Sequence, residues 1–440
     1  MNSTIRSFCG HSLACLTFCT AILLTFSASS AFAQKTLIYC GTLIDGVKSD
    51  SQSEMTIVVE GKKIVSVAKG YTKAEANDKV IDLKTKTVTP GLIDLHVHLE
   101  SETSRDQYLK RMSYSMADIA FEAQKNGLTT LMAGFTTVRD LGGSGVNIAL
   151  RNAINKGTVV GPRIFTSGKT IATTGGHGDP TNGFRTDAQF PDALTNGVVN
   201  SADEARQAVR QRYKDGVDCI KITATGGVLS IAKNGKAPQF MDDELDAIIK
   251  TAKDYGFHVA AHAHGAEGIK RALKAGVTTI EHGTFMDDEA IALFKQKGAY
   301  LVPTITAGKT VADSAKVPGY YHALVVPKAI ETGKQSQETF AKAYKAGVKI
   351  AFGTDAGVFL HGRNAKEFEY MTEVGMPPIE ALKSATMTAA EILDMKDQLG
   401  SLENGKLADI IAVDENPLKN IKTLQNVVFV MKDGVVYKKP

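Results

Sequence analysis

The chain has 440 residues, 43% of them hydrophobic, and a formal net charge of +4 at neutral pH. That is ordinary globular material, enough for one large domain and a smaller companion. The charge is mild and no basic run or basic–aromatic stripe occurs, which excludes nucleic acid from the expected partners.

Residues 1–33 are of a different character. Arg6 gives a positive start, Leu13 to Phe26 is apolar, and the stretch SASSAFA closes on Ala31, Phe32 and Ala33 before Gln34. This pattern predicts a secretory signal peptide cleaved after Ala33, and so an exported, periplasmic protein without a stable membrane anchor. The apolar run is short for a bilayer span of roughly 20 residues. Cys9, Cys15 and Cys19 would leave with the leader, and Cys40 and Cys219 are expected as buried thiols.

Next come TLIYCGTLIDG and MTIVVEGKKIVSVAKG, short period-two runs broken by glycine turns. Similar material returns near the C-terminus in LADIIAVDE and NVVFVMKDGVVYKK. The two ends, 34–88 plus 400–440, are predicted to build one small β-sandwich. Between them, residues 89–399 alternate apolar strands with amphipathic helices such as SADEARQAVRQRYKDG. The strand runs are LIDLHVH, FTTVRDL, RIFTSG, CIKITA, HVAAHAH, TTIEHG, YLVPTI and IAFGTDA. Eight such alternations predict an α/β fold, a (β/α)8 TIM barrel, over the rival doubly wound open sheet.

The strand ends carry the chemistry. In LIDLHVH, His96 and His98 share a face, with Asp94 below them and Glu100 at the rim. Alone, the pair fits a metal site and a buried hydrogen-bonded pair equally well. In CIKITA, Lys221 sits at the same height, and a buried lysine must be neutralised, paired or modified. It is either paired with a carboxylate or a neutral amine that has captured carbon dioxide as a carbamate. HVAAHAH adds His262 and His264, TTIEHG adds His282, and IAFGTDA adds Asp355. All lie where barrel strands run out into their loops, the face on which barrel active sites form. Mixed nitrogen and oxygen donors suit Zn²⁺ best, with Mn²⁺, Co²⁺ or Fe²⁺ as alternatives. Arg139 and Asp140 read as a structural pair, and His258 and His322 as structural residues.

The motifs PGLIDLHVH, AGFTTVRDLGG, GGHGDP, IKITATGGV, AAHAHG, IEHG, FGTDAG and GKLADIIAVDENPL occur in order over essentially all of the mature chain. In this the sequence resembles the amidohydrolase superfamily, and within it the metal-dependent dipeptidase and carboxypeptidase group (prolidase-like and Xaa-Arg/Lys dipeptidase-like, related to imidazolonepropionase). The resemblance implies two divalent metal ions. His96, His98 and Asp355 would hold one, His262 and His282 the other, and carbamylated Lys221 (N-carboxylated by CO2) would bridge them. It implies hydrolysis of an amide or peptide bond by a metal-bridging hydroxide, with Asp355 moving the proton from water to the leaving nitrogen. His177 in the GGHGDP loop would contact the substrate and act in catalysis. His264, surplus to the ligand set, and His361 are further candidates for substrate binding. ATGGV offers backbone N–H groups to a carboxylate.

The expected substrate is a small molecule or dipeptide with a free carboxylate: Xaa-Arg/Lys dipeptides or N-acyl amino acids. Phe240, standing where the proline-cleaving members would have Tyr, weighs toward the Arg/Lys type, and Glu100, Glu102 and Asp179 are candidates to meet a cationic tail. N-acylated aromatic or apolar amino acids, Xaa-Pro dipeptides and a cyclic amide are alternatives, as is a non-catalytic exported binding protein. The expected assembly is a homo-oligomer.

Overall fold

A computed structural model describes residues 34–185, 187 and 195–440. The expected leader, its three cysteines and its cleavage site lie outside the described residues.

Four strands open the chain: β1 (Lys35–Leu43), β2 (Gln52–Glu60), β3 (Lys63–Lys69) and β4 (Lys79–Pro90). Three close it: β15 (Ile410–Val413), β16 (Phe429–Lys432) and β17 (Val435–Lys438). They form one seven-stranded sheet in the order β17-β16-β15-β4-β1-β2-β3. β4 and β15 join the two ends, with Pro90 opposite Ile410 and Thr87 opposite Val413. The hairpin-rich ends predict antiparallel pairing, and most pairs are so, but β1 and β4 run parallel. β4 also runs two residues past the expected boundary at 88. Side chains from both ends, among them Ile38, Ile57, Leu83, Ile410 and Phe429, share one apolar cluster. That burial ties the separated ends to one another.

The middle is the (β/α)8 barrel. Its sheets comprise β5 (Leu92–Val97), β6 (Phe135–Asp140) and β7 (Arg163–Thr166), then β10 (Ile220–Thr223), β11 (Val259–Gly265), β12 (Thr279–Phe285), β13 (Tyr300–Val302) and β14 (Lys349–Ile350). A two-stranded piece, β8 (Ala172–Thr173) with β9 (Val198–Val199), decorates the connection after β7. The two barrel sheets are joined at both seams. Ile171 bridges Ile222, and Val97 bridges Ala356 beyond β14, both in parallel. Leu95 N–H donates to Phe352 O at 3.0 Å, and Ile171 N–H to Lys221 O at 2.8 Å.

The helices that cover the strands are α1 (Gln107–Ser113), α2 (Met116–Met132), α3 (Val146–Asn155), α4 (Ala202–Asp215), α5 (Asp242–Asp254), α6 (Ala266–Ala275), α7 (Asp288–Lys297), α8 (Ile305–Ala315), α9 (Val326–Lys345), α10 (Lys366–Glu373), α11 (Pro378–Ser384) and α12 (Met387–Ile392). Local chemistry sets their ends. Ser115 caps α2 with a reciprocal bond from Asp118, and α4 starts on Ser201 and ends on Gly216 at φ 78°. The barrel core joins strand residues such as Ile220, Ile222 and Ile280 to helix residues such as Ile248, Leu273 and Phe294. Among the described residues no helix is long and apolar enough to cross a membrane. Cys40 and Cys219 are free and buried, and burial pushes both thiols up to about 12.

Candidate metal centre

The C-terminal ends of the barrel strands surround a cavity of about 250 Å³ lined by His96, His98, His177, Lys221, His262, His264, His282 and Asp355. Three of the chain's departures from ordinary backbone geometry fall at this mouth. His282, Thr304 and Asp355 have φ of 73°, 50° and 61°, the left-handed region that non-glycine residues seldom occupy. Each is held by contacts from elsewhere. His282 Nδ1 lies 2.7 Å from Thr304 Oγ1. The N-terminus of α8, which follows Thr304, donates Ile305 and Thr306 N–H to the buried Glu367 carboxylate at 2.7 Å each. Burial pushes Glu367 up to about 7. Asp355 follows Thr354, whose hydroxyl donates to Asp94 Oδ2 at 2.6 Å. Asp94 also accepts from Asn364 Nδ2 and from the backbone N–H of His96 and Thr354.

Hydrogen bonds decide which imidazole nitrogen faces the cavity. His96 Nδ1 is 2.9 Å from Glu281 Oε2, and His98 Nδ1 is 3.0 Å from Gly142 O. Both partners only accept, so each Nδ1 carries a proton. Both Nε2 atoms then point at Asp355 Oδ1, at 3.5 and 3.3 Å, and Lys221 Nζ is 3.3 Å from His96 Nε2. Lone pairs facing a carboxylate oxygen repel unless a cation or a proton lies between them. This is the donor set and arrangement that a divalent metal ion needs. With a proton in that place, His98 is driven up: burial lowers it, but its hydrogen bond to Asp355 outweighs the burial. Asp355 is held below the usual carboxylate range, burial being more than offset by His96 and His98.

The second group uses the opposite nitrogen on one ring. His262 Nε2 donates to Gly226 O at 3.1 Å, which frees Nδ1, whereas His282 keeps Nε2 free. The nitrogens of His262, His264 and His282 lie within 4.8 Å of one another, as do the ligating atoms of His96, His282 and Asp355. The two groups share His282, so the candidate ligands form one contiguous cluster. Lys221 is buried, and burial lowers its proton affinity. Among the described residues no carboxylate comes within 4.0 Å of its ammonium, and the charges of Glu281 and Asp355 act on it from farther away.

Other expected residues divide. His177 lines the cavity, its Nδ1 2.6 Å from Ser230 Oγ, and burial lowers it to about 4, so it is neutral. His264 lines the cavity with Nδ1 2.8 Å from Thr284 Oγ1. His361 is buried and does not line this cavity, with Nε2 donating to Ser101 O at 3.0 Å and Nδ1 3.4 Å from Thr130 Oγ1. Its two nitrogens thus join the loop at Ser101 to helix α2. Arg139 and Asp140 are not a pair. Arg139 bonds Glu281 Oε1 at 3.0 Å, and Asp140 accepts from Leu99 N–H and Asn147 Nδ2. His322 precedes α9 in a turn. Phe240 is core, 2% exposed and outside the cavity lining, so it does not bear on substrate choice. The residue missed from sequence is Glu281, fully buried between His96 and Arg139.

The three acids offered to a cationic tail are all engaged elsewhere. Glu100 caps α3 through Ser144 and Asn147 N–H, Glu102 accepts from His361 N–H, and Asp179 closes its own loop through Gly175 and Thr181 N–H. Among the described residues Asp355 is the one carboxylate lining the cavity, whose remaining wall includes Leu141, Val228, Leu229, Pro303, Val311 and Val358.

Residues 87–437 match the model of the amidohydrolase family. The ochratoxinase of Aspergillus niger is 32% identical over 441 residues, covering 94% of this chain and 88% of the relative. A solved structure of a Xaa-Pro dipeptidase with bound methionine in the active site is 53% identical, with a TM-score of 0.89, covering 92% of this chain and 100% of that one. A prolidase complexed with N-methylphosphonate-L-proline is 33% identical with a TM-score of 0.85, over the same shares.

Proposed function

From the premise that this chain belongs to the amidohydrolase family, we propose that it is a binuclear metal hydrolase of dipeptides or N-acyl amino acids whose C-terminal residue is apolar. The observation that carries the substrate is the wall. Beside hydroxyls such as Thr284 and Ser336 it offers aliphatic side chains to a substrate tail, and among the described residues its one carboxylate belongs to the metal-facing cluster. A cationic tail would find no counter-charge there and would lose several kcal/mol of hydration. That speaks against Xaa-Arg/Lys substrates. It agrees with the methionine and proline ligands of the two dipeptidase-type relatives.

His96, His98 and Asp355 would hold one ion, His262 and His282 the other, and Lys221, as its carbamate, would serve both. Zn²⁺ suits this donor set. Bound there, the ions polarise the scissile carbonyl and acidify the attacking water. Asp355, which faces His96 and His98, would take the water proton and deliver it to the leaving nitrogen as the C–N bond breaks. If Ser230 Oγ donates to Nδ1, neutral His177 presents Nε2–H to the oxygen that gathers charge. His264 meets the substrate beside it. We also read the leader as an export signal, so that the mature protein begins at Gln34 in the periplasm and assembles as a homo-oligomer.

The test is kcat/KM across a Xaa–Yaa dipeptide and N-acyl amino acid library with Zn²⁺-reconstituted protein. The expected result is a preference of at least about tenfold for Met, Leu, Phe or Pro over Arg and Lys at the C-terminal position, the scale of burying a large apolar side chain. Equal or better turnover of Arg or Lys substrates would overturn the assignment.

A further inference from the structure

A second cavity of about 360 Å³ adjoins the first and shares Val228, His264 and Thr332 with it. Its character is different: Lys233, Lys236 and Lys328 line it against one acid, Glu331, which is already paired with Lys236 at 2.5 Å. Lys328 has no such partner. Among the described residues no carboxylate lies within 4.0 Å of its ammonium. Two of its three protons are spent on Gly227 O at 3.1 Å and Ser230 O at 2.7 Å, which fixes the head group and leaves one N–H unassigned.

The helix places Lys328 close to the junction of the two cavities. Lys328, Thr332 and Ser336 are four residues apart on α9, so they share one helix face. Lys328 and Thr332 line the second cavity, and Thr332 and Ser336 line the catalytic one. One turn of helix, about 6 Å, therefore separates the lysine from a residue at the junction. Lys328 also stands in the first turn of a 20-residue helix that has no acid there, where the helix dipole repels a cation. Among the described residues, Lys221 is the lysine or arginine lining the catalytic cavity, where it sits in the metal-facing cluster, while Lys233 and Lys236 share the second cavity with Lys328 and Lys236 is held by Glu331.

We infer that Lys328 is a specificity-determining residue, the counter-charge for a free carboxylate on the substrate, which enters at the junction of the two cavities beside His264. The inference rests on the hydrolase reading above and extends it: the wall selects an apolar side chain, and Lys328 demands an acid next to it. Hydrogen bonds to a charged partner of this kind are worth about ten- to a hundredfold in affinity.

The experiment compares an acid with its amide in wild type, Lys328→Met and Lys328→Arg, all Zn²⁺-reconstituted. Calorimetry with L-methionine and L-methioninamide reads binding, and kcat/KM on glycyl-L-methionine and its carboxamide reads turnover. Lys328→Met should weaken the acid about ten- to a hundredfold and the amide less than about threefold, with Lys328→Arg retaining most of the preference for the acid. Equal losses for acid and amide would show that Lys328 only clamps the 227–230 loop and would overturn the inference. So would unchanged binding, or a wild type that does not bind methionine. If methionine binding splits as expected while no peptide is cleaved, the hydrolase reading fails and the carboxylate subsite stands.

Discussion

Replacing Glu281 by Gln tests whether the buried shell sets the metal site. One Glu281 oxygen accepts the His96 Nδ1 proton at 2.9 Å, and the other accepts from Arg139 Nη2 at 3.0 Å and Thr279 Oγ1 at 2.5 Å. An amide cannot serve both sides. With its oxygen toward Arg139, its NH2 faces His96 Nδ1, so the ring proton must move to Nε2 and block the nitrogen that faces the cavity. With its oxygen toward His96, NH2 meets the guanidinium, donor against donor. Either way Arg139 is left unneutralised, and its Nη1 already lacks a partner. Breaking a fully buried ion pair costs about 3–5 kcal/mol, and losing the carboxylate behind a ligating histidine costs about ten- to a hundredfold in metal affinity. Denaturant unfolding in excess chelator should therefore show a loss of about 3 kcal/mol or more. Competition with a chromogenic chelator on the folded protein should show Zn²⁺ bound about ten- to a hundredfold more weakly. A Glu281→Gln protein with unchanged Zn²⁺ affinity would refute the argument that this carboxylate fixes the His96 tautomer.

Two further outcomes follow from buried groups. Growth or reconstitution with ¹³C-bicarbonate should give one carbamate carbonyl resonance, lost together with most bound metal in Lys221→Ala; full metal content and activity in that variant would remove the bridging carbamate. His258 is held down to about 3 by burial and by Arg139, below its ordinary 6.5. The unfolded chain then takes up this proton first as pH falls, so stability is unaffected above about pH 7 and is lost as pH falls from 6.5 toward 3. At pH 5 the loss from this one group is about 2 kcal/mol. The metal-free stability difference between pH 7.5 and 5 should shrink by about that amount in His258→Leu, and an undiminished pH dependence would contradict the assignment.

The alternation of strands and helices, the pairing of the two ends and the convergence of His96, His98, Lys221, His262, His282 and Asp355 were legible from the chain. Each rests on short-range regularities: the two-residue period of a strand, the helical period, and polar residues placed where strands end. The contacts that support the site were not. Alternation sets Glu281 and His282 on opposite faces of β12, and having assigned His282 inward it discards Glu281. In the fold, the left-handed backbone at His282 breaks the alternation, and both side chains reach the interior. Glu100, Glu102 and Asp179 look available in a string of letters. They are consumed by N–H groups from their own loop or from chain as far away as His361, and only folding brings that last pair together. The sequence by itself determined the fold class and the reactive residue types, because periodicity and side-chain chemistry are local. Which nitrogen faces the cavity, which acids are free, and which wall a substrate meets were decided by tertiary structure, because each depends on a partner distant in sequence.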